Sequence, residues 1–419
     1  MKVQNLRGTR DFYPELMREL NKIFQIWKDV AVSFGYEEVD GPLLEPVELW
    51  TLKSGAEIPE QMYRFKDKGD REVAIRPELT PTLARMVAQK QKTLQKPIKW
   101  FSIPRCWRYE APQSGRLREF FQLNIDCLGT ESMMADAEVI ATAVEIMKKL
   151  GCTDKDFYVR LNNRRLITAL LEGCGIKEKM QDVCRIIDKR EKLKAEDFEL
   201  SLKDLGVEEA QIVEIKKVLE YKSIEDVNYG KLSDEGKSGY DELKELIQLL
   251  NYISNYIKID FSIMRGFDYY TSTVFEIFDA KGEFRAIAGG GRYDDLVSDF
   301  GGEKCPGIGY GMGDVVLSLF LKKLGKGIET KRQIDYFIAA VNKDVMPKAM
   351  EIATSLRKKA SVEIDIVGRS FRKQMEYANS IGASKVIIVG PKDLEEKKVT
   401  LKEMESGNEK KVKIGELLL

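Results

Sequence analysis

An arginine, two adjacent tyrosines and a run of three glycines lie between Arg265 and Leu296 of this 419-residue chain. The stretch contains RGFDYYTSTVFE and, twelve residues later, GGGRYDDL. Packing alone does not require these residue types within an apolar, β-branched segment, so the composition favours a binding pocket. Each piece also has a purely structural interpretation. Residues 271–278 would alternate as a half-buried strand, and Gly289–Gly291 would suit a tight turn.

A second group of charged residues flanks a polar loop. Arg108 and Glu110 end one predicted strand, and Arg116 and Arg118 begin the next. Unpaired arginines are costly to bury, and guanidinium groups suit phosphate and carboxylate oxygens. An ATP triphosphate would satisfy them, and Phe120 would offer adenine a stacking surface. The alternative is a set of internal ion pairs, with Glu110, Glu119 and Asp126 as the acceptors.

The segment between Trp100 and Leu128 has two extended parts around the loop APQSGRL, which predicts an antiparallel hairpin. Strand periodicity places alternate residues of its second strand on opposite faces. One face is polar and is expected to line a site; it carries Arg118, Phe120, Gln122, Asn124 and Asp126. The other face is apolar and is expected to pack in the core; it carries Phe121, Leu123, Ile125 and Cys127.

The chain contains no histidine, and its six cysteines are dispersed without a CxxC pair. No imidazole side chain can therefore act as a general base, which excludes Ser-His-Asp and Cys-His hydrolase mechanisms. Structural zinc and a disulfide framework are not expected. The first residues lack the apolar core of a signal peptide, and no segment reaches membrane-spanning length, so we expect a soluble cytoplasmic protein.

The length predicts two or three domains. Apolar residues spaced by three and four predict a helix from Leu16 to Phe34. The extended segment that follows, YEEVDGPLLE, is broken by Pro42, which predicts a sheet edge or a bulge at that point. Residues 166–244 have helical patterns and no functional motif, since GKS at Gly236–Ser238 lacks the context of a P-loop.

The C-terminal part has a different pattern. Residues 321–333 are polar and predict a linker. Beyond them the pattern alternates as β-α-β-α-β and closes with a hairpin about residues 406–408, which predicts a small domain on a parallel sheet. From Lys331 onward there are 18 basic and 13 acidic residues, against 68 of each in the whole chain, so this part is the expected contact for a polyanion.

These segments together resemble a known family. CWRYEAPQSGRLREFFQLNID resembles motif 2 of the class II aminoacyl-tRNA synthetases, and YEEVDGPLLE resembles their motif 1, a dimer contact. RGFDYYTSTVFE and GGGRYDDL resemble the two blocks peculiar to the histidyl-tRNA synthetases, and RPELT resembles their amino-acid-binding loop. The resemblance spans the whole chain. It implies an α+β fold with an antiparallel-sheet catalytic domain at residues 1–325, a helical insertion at about 166–244, and an α/β anticodon-binding domain at 334–419.

The resemblance also implies an activity: ATP-dependent activation of L-histidine to histidyl-adenylate and transfer to its cognate tRNA. Mg2+ would accompany ATP, no zinc is expected, and a homodimer would form around Pro42. Arg265 and Arg108 would be catalytic, both at the α-phosphate. The histidine-binding residues would be Glu78, Thr80, Gln122, Asp126, Tyr269, Tyr270, Tyr293 and Gly309. The ATP-binding residues would be Arg108, Glu110, Arg116 and Phe120.

For tRNA, the resemblance places the loop from Gln113 to Arg116 at the acceptor stem. It places Arg369, Arg372 and Lys373, at the start of a predicted helix, near the anticodon. RNA loops are read by bases splayed onto aromatic or guanidinium planes, which suits these arginines. A solvated helix terminus is the alternative for this group.

Two residues depart from the family pattern. Asp126 stands where bacterial members usually carry glutamate, so its carboxylate reaches about one methylene less far. Val316 stands where motif 3 should carry an arginine for the γ-phosphate. That loss favours a non-catalytic paralogue, the regulatory subunit of ATP phosphoribosyltransferase, whereas Arg108, Arg265 and the C-terminal part favour the enzyme. Class II synthetases for threonine, proline or glycine are a third alternative, but they do not explain RGFDYYTSTVFE.

Overall fold

The computed structural model describes residues 3–51, 57–190, 193–264, 269–328, 332 and 334–418. The chain divides into two compact units, one of residues 1–12 and 20–328 and the other of residues 13–19 and 329–419. The strands are β1 (Glu37–Glu38), β2 (Leu44–Pro46), β3 (Tyr63–Lys66), β4 (Glu72–Ile75), β5 (Ile98–Ser102), β6 (Arg105–Trp107), β7 (Glu119–Leu128), β8 (Phe157–Asn163), β9 (Ile257–Ile259), β10 (Thr273–Asp279), β11 (Ala288–Arg292), β12 (Gly307–Gly313), β13 (Ile334–Ala340), β14 (Val362–Ile364), β15 (Ala383–Val389), β16 (Lys398–Glu403) and β17 (Glu409–Lys413). The helices are α1 (Pro14–Ser33), α2 (Glu48–Thr51), α3 (Glu57–Gln61), α4 (Thr80–Lys90), α5 (Met133–Lys149), α6 (Arg164–Gly173), α7 (Met180–Asp188), α8 (Ala195–Asp204), α9 (Glu209–Glu220), α10 (Asp234–Leu249), α11 (Leu296–Asp299), α12 (Asp314–Lys323), α13 (Met346–Leu356), α14 (Phe371–Ser380), α15 (Pro391–Glu395) and α16 (Ile414–Leu418).

A nine-stranded sheet forms the centre of the first unit. Its order is β1-β5-β7-β12-β11-β10-β8-β9, and β6 also pairs with β7. The pairs β1–β5 and β8–β9 are parallel, whereas the strands between β5 and β8 pair antiparallel. The predicted class II type of fold, with its antiparallel sheet, is therefore confirmed.

One face of this sheet is covered by helices. Leu123 and Ile125 of β7 and Phe275 of β10 pack in one continuous core with Trp27 of α1 and with the apolar side of α5. Full burial of each such large side chain contributes about 1.5–3 kcal/mol. The apolar face predicted for residues 121–127 is the face in this core, so the polar residues of β7 point to the opposite side of the sheet.

Helices α6 to α10 occupy the segment predicted to be helical. Helix α6 begins at Arg164 and α10 ends at Leu249, so the helical region extends slightly beyond residues 166–244. Their apolar residues, including Leu243 and Leu246, belong to the same core as α5. Residues 236–238 lie inside α10, where no phosphate-binding loop can form.

Two structural interpretations of the glycine-rich region are wrong. Gly289–Gly291 lie in β11, between β10 and β12, and do not form a tight turn. Strand β10 is central and almost wholly buried, not half-buried. The predicted linker also begins too early, because residues 321–323 complete helix α12.

The second unit contains a five-stranded sheet in the order β14-β13-β15-β16-β17. Strands β14, β13 and β15 are parallel, and β16 and β17 form a hairpin whose turn contains Gly407 at a φ of +72°. The predicted β-α-β-α-β alternation and closing hairpin are confirmed. Among the described residues of the whole chain, no helix is long and apolar enough to cross a membrane.

Candidate active site

Two adjoining cavities lie in the first unit. The smaller, of about 170 Å³, is lined by the start of α4, by polar residues of β7 and by glycines of β11 and β12. The larger, of about 700 Å³, lies within the range of roughly 300–1,000 Å³ typical of ligand sites. Arg108, Ala286 and Gly313 line both cavities, so a ligand that fills one can touch a ligand in the other.

A buried carboxylate lies at the smaller cavity. Asp126 is only 2% exposed, and its Oδ1 accepts a hydrogen bond from the hydroxyl of Tyr293. Its Oδ2 is buried and has no hydrogen-bond partner among the described residues. A buried acceptor without a partner is costly, so this oxygen is suited to an N–H donor from a ligand.

Burial raises the pKa of Asp126 to about 7, an effect that the hydrogen bond from Tyr293 opposes and that nearby Glu78 reinforces. Burial also raises the pKa of Tyr293 well above its ordinary value, as does the adjacent Asp126. The Tyr293 hydroxyl therefore keeps its proton and remains a donor to the carboxylate. The pair can accept an imidazole N–H through Oδ2 while Oδ1 stays occupied.

Glycines in β12 make room for the polar side chains of β7. A Cβ at Gly309, which is paired with Asp126 in the sheet, would collide with Asp126 Oδ1 and would lie 2.6 Å from the Ile125 carbonyl. A Cβ at Gly311 would collide with the amide of Gln122. The backbone of β12 thus forms a wall of the cavity.

Tyrosines and a second carboxylate form another part of the smaller cavity. The hydroxyl of Tyr269 donates to Glu78 Oε2 at 3.4 Å, and the rings of Tyr269 and Tyr270 are 4.8 Å apart. Tyr270 packs on β11, where a Cβ at Gly291 would lie 2.8 Å from its ring. Both tyrosines line the cavity, together with Thr80 at the start of α4 and Gln122. Glu78 is only 4% exposed, so this part of the cavity contains a second buried carboxylate.

Arg108 stands where the two cavities meet. Its Nε donates to the Pro77 carbonyl at 3.1 Å, and its guanidinium lies 5.3 Å from the centre of the Phe120 ring. It forms no ion pair with a carboxylate among the described residues. Its charge is available to an anion that spans the two cavities.

The loop between β6 and β7 closes one side of the larger cavity. Arg116 forms an ion pair with Glu110, and Gln113 and Arg116 exchange backbone hydrogen bonds of 3.0 and 2.9 Å across a turn with Gly115 at a φ of +75°. Glu119 pairs with Arg105. The expected alternative of internal ion pairs thus holds for Glu110 and Glu119, whereas Asp126 bonds to Tyr293.

Comparison with known proteins identifies the family to which the chain belongs. Residues 8–313 match the family model described as histidyl-tRNA synthetase, and residues 335–418 match the one described as anticodon binding domain. The chain belongs to the histidyl-tRNA synthetase family. The first of these matches covers the β6–β7 hairpin, the residues that line the smaller cavity and the helices α6 to α10.

Similar proteins of this family are known from distant organisms. A protein named histidine–tRNA ligase from Haloarcula marismortui is 39% identical over 98% of this chain and 96% of its own. One named histidine–tRNA ligase, chloroplastic/mitochondrial, from Arabidopsis thaliana is 39% identical over 98% of this chain and 85% of its own. The crystal structure of histidyl-tRNA synthetase from Nostoc has a TM-score of 0.81 at 25% identity, covering 100% of this chain and 99% of that one.

Arg265 and Val316 differ from the other residues considered for a histidyl-tRNA synthetase site. Arg265 lies outside the described residues. Val316, in the motif 3 position, lines the larger cavity, so the aliphatic side chain stands where the family arginine is expected.

Sequence reasoning missed two arginines of the larger cavity, Arg160 and Arg285. Arg160 of β8 is paired in register with Glu276 of β10, and two charged residues opposite each other in buried strands are a signal that could have found it. Arg285 lies in the turn between β10 and β11 and has no motif of its own.

In the anticodon-binding unit, Arg369 pairs with Asp365 at 2.6 Å and lies 4.0 Å from the centre of the Tyr377 ring. Arg372, in the first turn of α14, is 90% exposed and pairs with Glu376 at 3.1 Å. Helix α14 begins where the sequence predicted it.

Proposed function

We propose that this protein ligates L-histidine to its cognate tRNA through a histidyl-adenylate, releasing pyrophosphate and then AMP. The observation that carries the proposal is the buried Oδ2 of Asp126, which lacks a partner among the described residues and lies in a cavity that adjoins a larger one at Arg108. Membership of the histidyl-tRNA synthetase family supports the same assignment.

In the proposed complex the imidazole occupies the smaller cavity. One ring N–H donates to Asp126 Oδ2, and Tyr293, Tyr270 and Tyr269 surround the ring. The α-amino group is bound by Glu78, Thr80 and Gln122, and Gly309 keeps the cavity open beside Asp126. A site with polar groups matched to a side chain rejects analogues that leave those groups unpaired.

ATP is assigned to the larger cavity, with adenine on Phe120 and phosphates near Arg108, Glu110 and Arg116. A carboxylate oxygen of histidine attacks the α-phosphorus, and pyrophosphate leaves. Arg108 stabilises the charge that develops between the two substrates, and Arg265 is assigned to the same phosphoryl group. In the second step a terminal ribose hydroxyl of the tRNA attacks the carbonyl carbon and AMP leaves; a substrate phosphate oxygen is the proposed base, since the chain has no histidine.

Mg2+ is assigned to the phosphates of ATP. The carboxylates of Glu110 and Glu276 line the larger cavity, and Oε1 of Glu110 is buried without a partner among the described residues, which fits a hard cation. When bound, Mg2+ would neutralise phosphate charge.

The proposal includes a homodimer, two domains and a cytoplasmic location. A homodimer around Pro42 is supported by the exposed apolar side chains of Leu43, Leu44 and Phe65, the last two on the outer strands of the sheet β2-β4-β3. Domain bounds of 1–325 and 334–419 are supported by the two family matches, which cover residues 8–313 and 335–418. A cytoplasmic location is supported by six free cysteines, which suit a reducing compartment.

Binding of tRNA is assigned to two places. The loop at Gln113 is exposed beside the larger cavity and is assigned to the acceptor stem. Arg369 and Arg372 are assigned to the anticodon, next to Ile366 and Val367, whose side chains are exposed and could support unstacked bases.

Pyrophosphate exchange with ATP tests the proposal on the purified full-length protein. Exchange should require L-histidine, and tRNA from a histidine-accepting pool should become charged. Arg108→Lys keeps the positive charge but removes the planar guanidinium group that can donate two parallel hydrogen bonds. This variant should therefore have a kcat/KM lower by roughly 10- to 100-fold. Arg105→Lys, three residues earlier, is the matched control. Exchange that is absent, or equally fast with another amino acid, would refute the function and leave the non-catalytic paralogue as the better assignment.

A further inference from the structure

The larger cavity lacks the cation expected in its motif 3 wall. Val315 and Val316 of α12 line it with aliphatic side chains, and Val316 also approaches the β6–β7 loop, since a Cβ at Gly115 would lie 3.3 Å from its Cγ2. A triphosphate in this cavity needs positive charge from another element.

Each of the three other arginines of the cavity contacts neighbouring protein groups. Arg116 pairs with Glu110, and Arg108 is held between Pro77 and Phe120. Arg160 lies 3.4 Å from Asp260 and 4.2 Å from the centre of the Phe278 ring. Arg285 differs from them. It is exposed at the cavity and makes no ion pair or hydrogen bond within the described part of the chain.

The turn that carries Arg285 is held in place. The buried carboxylate of Asp279 accepts hydrogen bonds of 2.9 Å from the backbone N–H groups of Glu283 and Phe284. The neighbouring acid, Glu283, pairs with Lys323 of α12 at 3.3 Å, so its charge is partly neutralised by another residue. Arg285 is therefore presented on a constrained backbone.

The same turn packs against the helix that carries Val316. The ring of Phe284 lies edge-on to Phe320, with centroids 6.0 Å apart. Phe320 is four residues after Val316 in α12, and residues four apart share one face of a helix. Arg285, the residue after Phe284, therefore follows a side chain that packs on the helix carrying Val316, and Arg285 and Val316 line the same cavity.

We propose that Arg285 binds the terminal phosphates of ATP in place of the arginine that motif 3 lacks. This rests on the proposed function for the identity of the ligand. The guanidinium enters the larger cavity from the β10–β11 turn and forms a charge-assisted contact with phosphate oxygens. One positive charge is thus kept at the terminal phosphates. It comes from the β10–β11 turn and not from helix α12.

Arg285→Ala should raise the KM for ATP in histidine-dependent pyrophosphate exchange by roughly 10- to 100-fold, the effect of losing one charge-assisted contact, and should leave the KM for histidine unchanged. Lys281→Ala is the matched control, because it removes one positive charge from the same turn at a residue that does not line the cavity. If the two variants have the same KM for ATP, the inference is wrong.

A second experiment tests which phosphates of ATP contact Arg285. Calorimetric titration should show weaker ATP binding to Arg285→Ala but equal AMP binding to variant and wild type, because AMP lacks the terminal phosphates. Equal loss of ATP and AMP affinity would overturn the assignment. The double variant Arg285→Ala with Val316→Arg should recover ATP affinity if it folds with an unchanged Tm. Wild-type protein that binds ATP but performs no exchange would refute the proposed function alone.

Discussion

The hydroxyl of Tyr293, at the end of β11, donates a hydrogen bond to Oδ1 of Asp126 on β7, across β12. The two residues are 167 positions apart in sequence, and both are almost fully buried. The bond fixes the carboxylate so that Oδ2 is left for a ligand. We therefore propose that Asp126 on β7 and Tyr293, which follows β11, together provide selectivity for imidazole.

Asp126→Asn should raise the KM for histidine by roughly 10- to 100-fold, because a hydrogen bond to a charged group contributes about 1.5–3 kcal/mol. The KM for ATP should change little, since Asp126 lines only the smaller cavity. Pyrophosphate exchange at varied histidine and ATP concentrations measures both constants. An unchanged KM for histidine would remove Asp126 from the binding site.

The same variant should alter the dependence of stability on pH. The pKa of Asp126 is raised from 3.8 to about 7, so the ligand-free folded state binds more protons than the unfolded state between these values. The free energy of unfolding contributed by this group therefore falls as pH rises through that window. Asn cannot ionise, so the Tm of Asp126→Asn relative to wild type should increase from pH 4 to pH 8. A constant Tm difference across this range would contradict the raised pKa.

Tyr293→Phe removes the hydrogen bond that lowers the pKa of Asp126, so that pKa should rise further. The ionised carboxylate would then be available only at higher pH, and the acidic limb of the kcat/KM profile for histidine should move to higher pH. Tyr36→Phe serves as the control, because Tyr36 is a buried tyrosine that bonds to Glu138 at 3.3 Å and does not line either cavity. Equal profiles for the two variants would show that Tyr293 does not tune Asp126.

Gly309→Ala should abolish measurable histidine binding while the protein remains folded. The new methyl group collides with Asp126 Oδ1 and presses on the Ile125 carbonyl. Overpacking of this kind typically costs about 1–3 kcal/mol of stability. Gly173→Ala in α6 is the matched control, since its added methyl group meets open space. Calorimetric titration with histidine and thermal unfolding separate the two effects, and a Gly309→Ala protein that binds histidine normally would exclude this close approach.

Arg372→Glu should raise the KM for tRNA in aminoacylation and leave pyrophosphate exchange unchanged, because exchange does not require tRNA. Arg372 is exposed in the second unit, so reversal of its charge should not disturb folding. Lys358→Glu, also exposed in that unit, is the matched control. An effect of Arg372→Glu on exchange would contradict its assignment to the anticodon.

The sequence alone determined which side chains can take part in the chemistry. Period-two alternation in residues 118–127 predicted which side of β7 carries polar groups, because a strand has two faces whatever its partners are. The absence of histidine excluded whole classes of mechanism. These are local properties of the chain.

Only the tertiary structure decided which residues meet. Gly289–Gly291 could have been a turn, and they form a central strand because β10 and β12 pair on either side of them. Asp126 could have paired with an arginine, but the sheet order brings Tyr293 to it instead. Arg285 had no motif, and its place at the cavity follows from the contact between Phe284 and Phe320, residues 36 positions apart in sequence. Contacts over such separations depend on how the elements pack, which no local pattern records.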